Sequence, residues 1–264
     1  MNFDPTYNPY SLVGKTILIT GASSGIGAAC AHKFAQKGYN LILNARSTDK
    51  LQSLKTELES TYSVAIHLLP FDVRDRQTAL ESISTLPESF REIDVLVNNA
   101  GLALGIDKEY EGSEENYDTM IETNITALLM ITRMVVPGMV ERGRGHIINI
   151  GSVAGDAAYP GGSVYCATKA AVKVLSDGLR MDLVHTPLRV TNVKPGLVET
   201  NFSITRFAGD KERADKVYQG IKPLTGDDIA DVVYYAASAP AHVQIAEVLV
   251  LATHQASGSI VYRK

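Results

Sequence analysis

Cysteine is scarce in this chain of 264 residues: Cys30 and Cys166 are the only two. That number supports neither a disulfide framework nor a complete structural zinc site. The six histidines show no metal-ligand spacing, so no metal is expected. Charge of one sign is also missing. Lys and Arg number 25 against 29 Asp and Glu, a formal net charge of −4, which offers no footprint for nucleic acid. No apolar run reaches the roughly 18 residues of a membrane span. The segment Met1 to Gly14 is polar and lacks the basic region and apolar core of a secretory signal. Internal repeats and low-complexity linkers are absent too. The simplest expectation is a cytoplasmic protein with a small-molecule partner, and with neither nucleic acid nor membrane as partner.

What is present is an ordinary globular balance, 45% apolar and 20% charged, enough for one large core. Apolar runs at 15–20, 40–45, 64–70, 93–98, 146–150, 188–194 and 246–251 read as strands. Helical stretches at 24–38, 48–60, 76–86, 116–142 and 162–184 and a short helix from Asp227 separate them. Short β-rich runs alternating with helices predict an α/β fold, a doubly wound, Rossmann-type seven-stranded parallel sheet with helices on both faces. A single domain over 1–264 is expected. In such sheets ligands sit beyond the carboxyl ends of the strands. Gly21 to Gly27, Asn98 to Gly101, Gly151–Ser152 and Pro195 to Thr200 each follow a strand, so the unusual residues gather on one rim.

The turn Thr20-Gly21-Ala22-Ser23-Ser24-Gly25-Ile26-Gly27 joins the first strand to the first helix. Gly21 suits a tight turn, and Gly25 and Gly27 suit close approach of backbone. The helix N-terminus offers N–H groups to a phosphate. The loop lacks the lysine of a P-loop, which disfavours nucleoside triphosphate chemistry. At the end of the second strand, where an acid would hold ribose hydroxyls, stands Ala45, followed by Arg46. A guanidinium holds phosphate in a planar fork, so the expected cofactor is NADP (NADPH) rather than NAD. The alternative is a solvated surface arginine. Asp49 falls in the next helix's first turn, where a carboxylate is routinely structural. Tyr165 and Lys169 lie four apart on a helix and can meet. An ammonium near a phenol would favour the phenolate and tune the pair for proton exchange at neutral pH. Cys166 is either a small packing residue or a reactive thiol.

With these residues in order, the chain resembles the short-chain dehydrogenase/reductase family over about residues 13–252. Thr20 to Gly27 matches the family's cofactor loop, with Gly21, Ser23, Ser24, Gly25, Ile26 and Gly27 implied as contacts. Asp72, with Val73 beside it, matches the acid at the adenine. Asn98-Asn99-Ala100-Gly101 matches the sequence along the cofactor. Asn124, Ser152, Tyr165 and Lys169 match the catalytic tetrad. Pro195, Gly196, Val198 and Thr200 fall in the loop flanking the nicotinamide. Ser24 stands where some NADP members carry a basic residue, so Arg46 would bear the 2′-phosphate. The stretches 156–169 and 196–203 and the tail at 255–257 are similar to the subgroup of NADP-dependent 3-hydroxy acid dehydrogenases of bacteria and yeasts, itself similar to serine and allo-threonine dehydrogenases, whose members also reduce various ketones.

The resemblance implies reversible hydride transfer between nicotinamide and the hydroxyl or carbonyl carbon of such an acid, or of a related ketone. Tyr165 would exchange the proton, Lys169 would lower its pKa and hold ribose, and Ser152 would hold the substrate oxygen. Asn124 would join a relay through water to Lys169. Arg206, within a substrate-loop segment at 197–224, is the candidate for a substrate carboxylate; a lid-surface or subunit-contact role stays open. Tyr159 would either shape the pocket or simply pack. The subgroup resembles tetramers, with the long helices pairing between subunits, so a homotetramer is expected. A broad carbonyl reductase, a 3-oxoacyl reductase on carrier-bound substrates and a non-catalytic NADP sensor remain alternatives.

Overall fold

The computed structural model describes residues 14–264; the reading of the segment before Gly14 lies outside the described residues. One seven-stranded parallel sheet runs in the order β3-β2-β1-β4-β5-β6-β7. Its strands are β1 (Thr16–Thr20), β2 (Asn40–Asn44), β3 (Ile66–Leu69), β4 (Ile93–Asn98), β5 (His146–Ile150), β6 (Arg189–Pro195) and β7 (Glu247–Val250). Alternate residues of the inner strands face opposite ways. Ile17 and Ile19 join one core with Val95 and Val97, while Leu18 and Leu96 join the other. Both faces are therefore largely apolar, and strands such as β1 and β4 read in sequence as nearly continuous apolar runs.

Helices α1 (Gly25–Gln36), α2 (Thr48–Thr61) and α9 (Gly226–Ser238) cover the first face through Phe34, Leu51 and Val233. The second is covered by α3 (Arg76–Ser84), α5 (Ala127–Arg142) and the end of α6 (Ser163–Asp182), through Ala79, Ile131 and Leu179. By length and composition alone, the helical stretch Glu114–Arg142 could cross a membrane, although the apolar runs gave no such expectation. Half of its apolar window is buried inside the fold, where Ile131, Val135 and Met139 pack on the sheet. It is a core helix here.

Several elements differ from the sequence reading. The long helix begins earlier, with α4 (Glu114–Ile121) capped by the Ser113 side chain. Its middle is not α-helical: Glu122–Thr126 forms a π turn before α5 starts. The segment after β6 holds two short helices, α7 (Phe202–Arg206) and α8 (Lys211–Lys216). The short helix near Asp227 is 13 residues long and starts in a capping box between Thr225 and Asp228. The order in which strands are added reverses between β1 and β4, β2 and β3 lying on one side and β5 to β7 on the other, which opens a crevice at their carboxyl ends.

Candidate active site

A cleft of about 680 Å3 occupies that crevice and continues along the rim to β6. The glycine turn forms its floor. Gly21 and Gly25 have positive φ, 65° and 55°, which glycine adopts without strain. Gly27 does not line the cleft. A Cβ there would overlap the Gly21 carbonyl oxygen, so its role is packing. No side chain caps α1, whose first N–H groups lie behind Gly25 and Ile26 at the cleft wall. Such an N-terminus suits a phosphate. The segment after β4 is laced to this turn. Asn99 Nδ2 donates to Thr20 and Gly21 carbonyls at 2.9 and 3.1 Å, and the Asn99 and Ala100 amides donate to Thr20 Oγ1 at 3.0 Å.

Arg46 and Asp72 face each other at one end of the cleft, 3.9 Å apart. The Arg46 side chain is 68% exposed and free to turn toward an anion. Arg74, which sequence reasoning passed over, also lines this end. It donates to Asp72 at 2.8 Å and holds that carboxyl below its ordinary range. The signal was present in sequence, a basic residue two positions beyond Asp72. Val73 is buried beside them. Asp49 lies in the first turn of α2, as expected.

Ser152, Tyr165 and Lys169 meet at the other end. Ser152 precedes a short 3-10 turn, Val153–Gly155, and its Oγ accepts from the Ala154 amide at 3.1 Å. Lys169 Nζ lies 6.0 Å from the centre of the Tyr165 ring and donates to the Ile150 carbonyl at 2.8 Å. Both side chains are buried, and burial dominates both titrations. It pushes the Tyr165 phenol up, with hydrogen bonding by Ser152 acting against it, and it pushes Lys169 down to about 8. The expected lowering of the phenol is therefore not what this site shows, because each charged form loses its water.

Asn124 sits in the π turn, 1% exposed and behind the cleft wall. Its Nδ2 donates to the Leu102 carbonyl at 2.8 Å and to Thr168 Oγ1 at 3.0 Å, while Oδ1 accepts from the Leu102 amide at 2.9 Å. A Cβ on Gly101 would stand 3.2 Å from Asn124 Oδ1 and 3.4 Å from Lys169 Nζ, so both groups border the same glycine. The side chain ties the rim after β4 to the helix of Tyr165. π turns of this kind recur at functional sites.

Above Tyr165, Phe202 of α7 packs on the phenol ring at 5.6 Å between centroids. Arg206 reaches in from the end of α7. It donates to Tyr159 Oη at 2.9 Å and to the Gly105 carbonyl at 3.1 Å, with its guanidinium carbon 6.0 Å from the Tyr165 ring centre. Among the described residues no carboxylate pairs with it within 4.0 Å. Pro195, Gly196, Val198 and Thr200 line the adjoining wall, as do Gln255, which opens the tail noted at 255–257, and Tyr218, which sequence reasoning missed. Gln255 Oε1 accepts from the Leu197 amide at 2.8 Å and lies where a Gly196 side chain would be. Cys166 is buried and free, its thiol pushed up by burial, as a packing residue would be.

A family model for short chain dehydrogenases matches residues 15–211. The chain belongs to the short chain dehydrogenase family. It is 46% identical, over 96% of its length and 98% of the relative's, to a Schizosaccharomyces pombe protein named NADP-dependent 3-hydroxy acid dehydrogenase. It is 49% identical to the Salmonella typhi protein named NADP-dependent 3-hydroxy acid dehydrogenase YdfG, over 87% of this chain and 91% of that one. Among solved structures it is similar to a closed form of serine dehydrogenase complexed with NADP+. The TM-score is 0.88 at 44% identity, covering 94% of this chain and all of the other. The cleft fits this short chain dehydrogenase assignment, with a phosphate-ready helix end at its centre and a phenol–amine pair beyond it.

Proposed function

We propose that this short chain dehydrogenase uses NADP to interconvert the hydroxyl and carbonyl forms of a small 3-hydroxy acid, serine or allo-threonine-like, or of a related ketone. The observation that carries the acid is Arg206, a guanidinium with no carboxylate partner among the described residues, held in the cleft beside Tyr165. A cation so placed invites an anion. The names of the relatives support the same reading. Arg46, exposed at the far end of the cleft, would hold the 2′-phosphate, and the glycine turn with α1 would hold the diphosphate. When bound, NADP supplies the hydride acceptor and donor through its nicotinamide ring.

The residues of the chain then divide the remaining work. Ser152 Oγ is fixed by its turn and can donate to the substrate oxygen, steadying the charge that develops there. Tyr165 takes the hydroxyl proton in oxidation and returns it in reduction. Lys169, lowered toward neutral pH by burial, is suited to pass that proton onward. Asn124 keeps the rim at Leu102 and the helix of Tyr165 in register. The segment 197–224 acts as the substrate loop, bringing Phe202 and Arg206 over the reacting carbon, with Tyr159 as its opposing wall.

A carrier-bound 3-oxoacyl substrate is less well served. Ile106 lines the cleft, and the exposed loop and first turn of α4 that follow it carry Asp107, Glu109, Glu111, Glu114 and Glu115 against Lys108, the reverse of a basic docking patch. A homotetramer is supported by apolar residues left exposed on the long helices: Leu129 on α5 at 44%, and Val174 and Met181 on α6 at 66% and 73%. Two buried free cysteines agree with a cytosolic location. The test is a panel of hydroxy acids and ketones assayed by NADPH absorbance with NADP and with NAD. Turnover of serine-like acids with NADP is expected, and its near-abolition by Tyr165→Phe. Turnover that survives that substitution with cofactor still bound would sink the mechanism.

A further inference from the structure

The turn that carries Ser152 is held from beneath by an ionic tether. Asp156 follows the turn Val153–Gly155 directly, and its Oδ1 accepts from Lys194 Nζ at 2.7 Å. Lys194 stands on β6, with a side chain only 6% exposed. The same ammonium donates to Glu247 Oε1 of β7 at 2.8 Å, and the other oxygen of Glu247 accepts from Asn192 Nδ2 at 3.2 Å. The near end of the turn is seated on the same strand. The Gly151 amide donates to the Val193 carbonyl at 2.7 Å. A side chain on Gly151 would overlap Asn192 Oδ1 and come within 3.2 Å of Lys194 Cγ. Lys194 thus lies beside the residue before Ser152, where it would crowd any side chain, and binds the residue four after Ser152. Neither Lys194 nor Asp156 lines the cleft.

From this geometry we infer that Lys194 is a positioning residue, which sets Ser152 and the Tyr159 wall against Tyr165 through its bond to Asp156. The inference rests on the role proposed above for Ser152. A buried ammonium needs its partners, so the bond to Asp156 is retained when the cleft fills. The chain from Asp156 to Tyr159 is only three residues long, so an anchored Asp156 also limits where Tyr159 can swing.

The test compares Lys194→Met, Lys194→Arg, Asp156→Asn, the Lys194→Met/Asp156→Asn pair and Glu247→Gln. Asp156→Asn and Lys194→Met should each lower kcat about tenfold, since displacements near 1 Å cost up to ~100-fold in well-aligned sites. The double variant should fall no further than either single, because one bond is being removed. Lys194→Arg should recover most of the loss, and NADPH affinity, read by its fluorescence, should stay unchanged throughout. Glu247→Gln holds the same ammonium from the other side and should lower the melting temperature while keeping kcat. Hydrogen exchange supplies a readout independent of turnover. Amides of 151–160 should exchange faster in Asp156→Asn and at the parent rate in Glu247→Gln. Unchanged exchange in Asp156→Asn, multiplicative losses in the double variant, or an equal kcat loss in Glu247→Gln would overturn the inference. Absence of turnover by the parent enzyme on every panel substrate would overturn the proposed reaction instead, and the exchange comparison would still decide the tether.

Discussion

Replacing Arg206 with alanine separates the two jobs its guanidinium performs. One is mechanical. Its Nε donates to the Gly105 carbonyl at 3.1 Å and Nη1 to Tyr159 Oη at 2.9 Å, which ties α7 to the facing rim. The backbone bond from the Gly105 amide to the Arg206 carbonyl, at 2.9 Å, survives the substitution, so part of the tie remains. The other job is electrostatic and arises only with an anionic substrate. A hydrogen bond to a charged group contributes about 1.5–3 kcal/mol, which is roughly ten- to hundredfold in an equilibrium or rate constant. The mechanical loss acts on every substrate alike; the electrostatic loss acts on carboxylates alone. The assay is therefore kcat/KM for a 3-hydroxy acid and for a neutral ketone of similar size, in parent and Arg206→Ala. The acid should lose about ten- to hundredfold more than the ketone, most of it in KM. Arg206→Lys should fall between, keeping the charge and losing the planar fork. Equal factors for acid and ketone would refute the assignment of a carboxylate to this arginine.

Three further outcomes follow from other parts of the cleft. Arg46→Ala should raise KM for NADP about tenfold, the low end for a charge-assisted bond because the side chain is 68% exposed, and should leave KM for NAD unchanged. Gly27→Ala should cost about 1–3 kcal/mol of stability, read as a lower urea midpoint, since the new methyl would overlap the Gly21 carbonyl oxygen. Lys169→Met should abolish turnover yet melt higher than the parent near pH 7. Burial brings Lys169 from 10.5 down to about 8, so below about pH 8 the folded chain carries the full penalty of the buried ammonium. Between those values the unfolded state binds more protons, stability rises with pH, and the advantage of methionine should vanish toward about pH 10. The penalty corresponds to at most roughly 3 kcal/mol, reduced by loss of the bond to the Ile150 carbonyl.

The framework was legible because the inner strands are buried on both faces. The runs 16–20, 93–98 and 146–150 are buried throughout and mostly apolar, with polar residues chiefly at their ends, and the structure starts and ends them within a residue of the sequence reading. Ala45 and Arg46 were legible for a similar reason, since a strand end fixes their place on the rim. The π turn was not. Asn124 is held by Leu102, 22 residues away, and Thr168, 44 residues away, and a helical pattern does not register such partners. Helices α7 and α8, at five and six residues, are too short for periodicity to reveal. Arg74 was missed although its partner Asp72 was named, because Arg46 alone was assigned to the 2′-phosphate, and Tyr218 was missed because its partners, Ser203 and the Val198 carbonyl, lie 15 and 20 residues away.

The pair at Tyr165 and Lys169 illustrates the same limit at the level of charge. Spacing brings the two side chains together, and spacing alone suggests that the ammonium lowers the phenol. Burial reverses the balance. The phenol is disfavoured as phenolate and the amine as ammonium, because neither keeps its water. The largest influence that opposes burial at Tyr165 is the hydrogen bond with Ser152. The placement of Ser152 therefore bears on the proton as well as on the substrate oxygen. Ser152 is in turn placed by a turn whose far end is bonded to Lys194. The chemistry at the phenol is thus set from two directions, by the helix that carries it and by a strand whose lysine never enters the cleft.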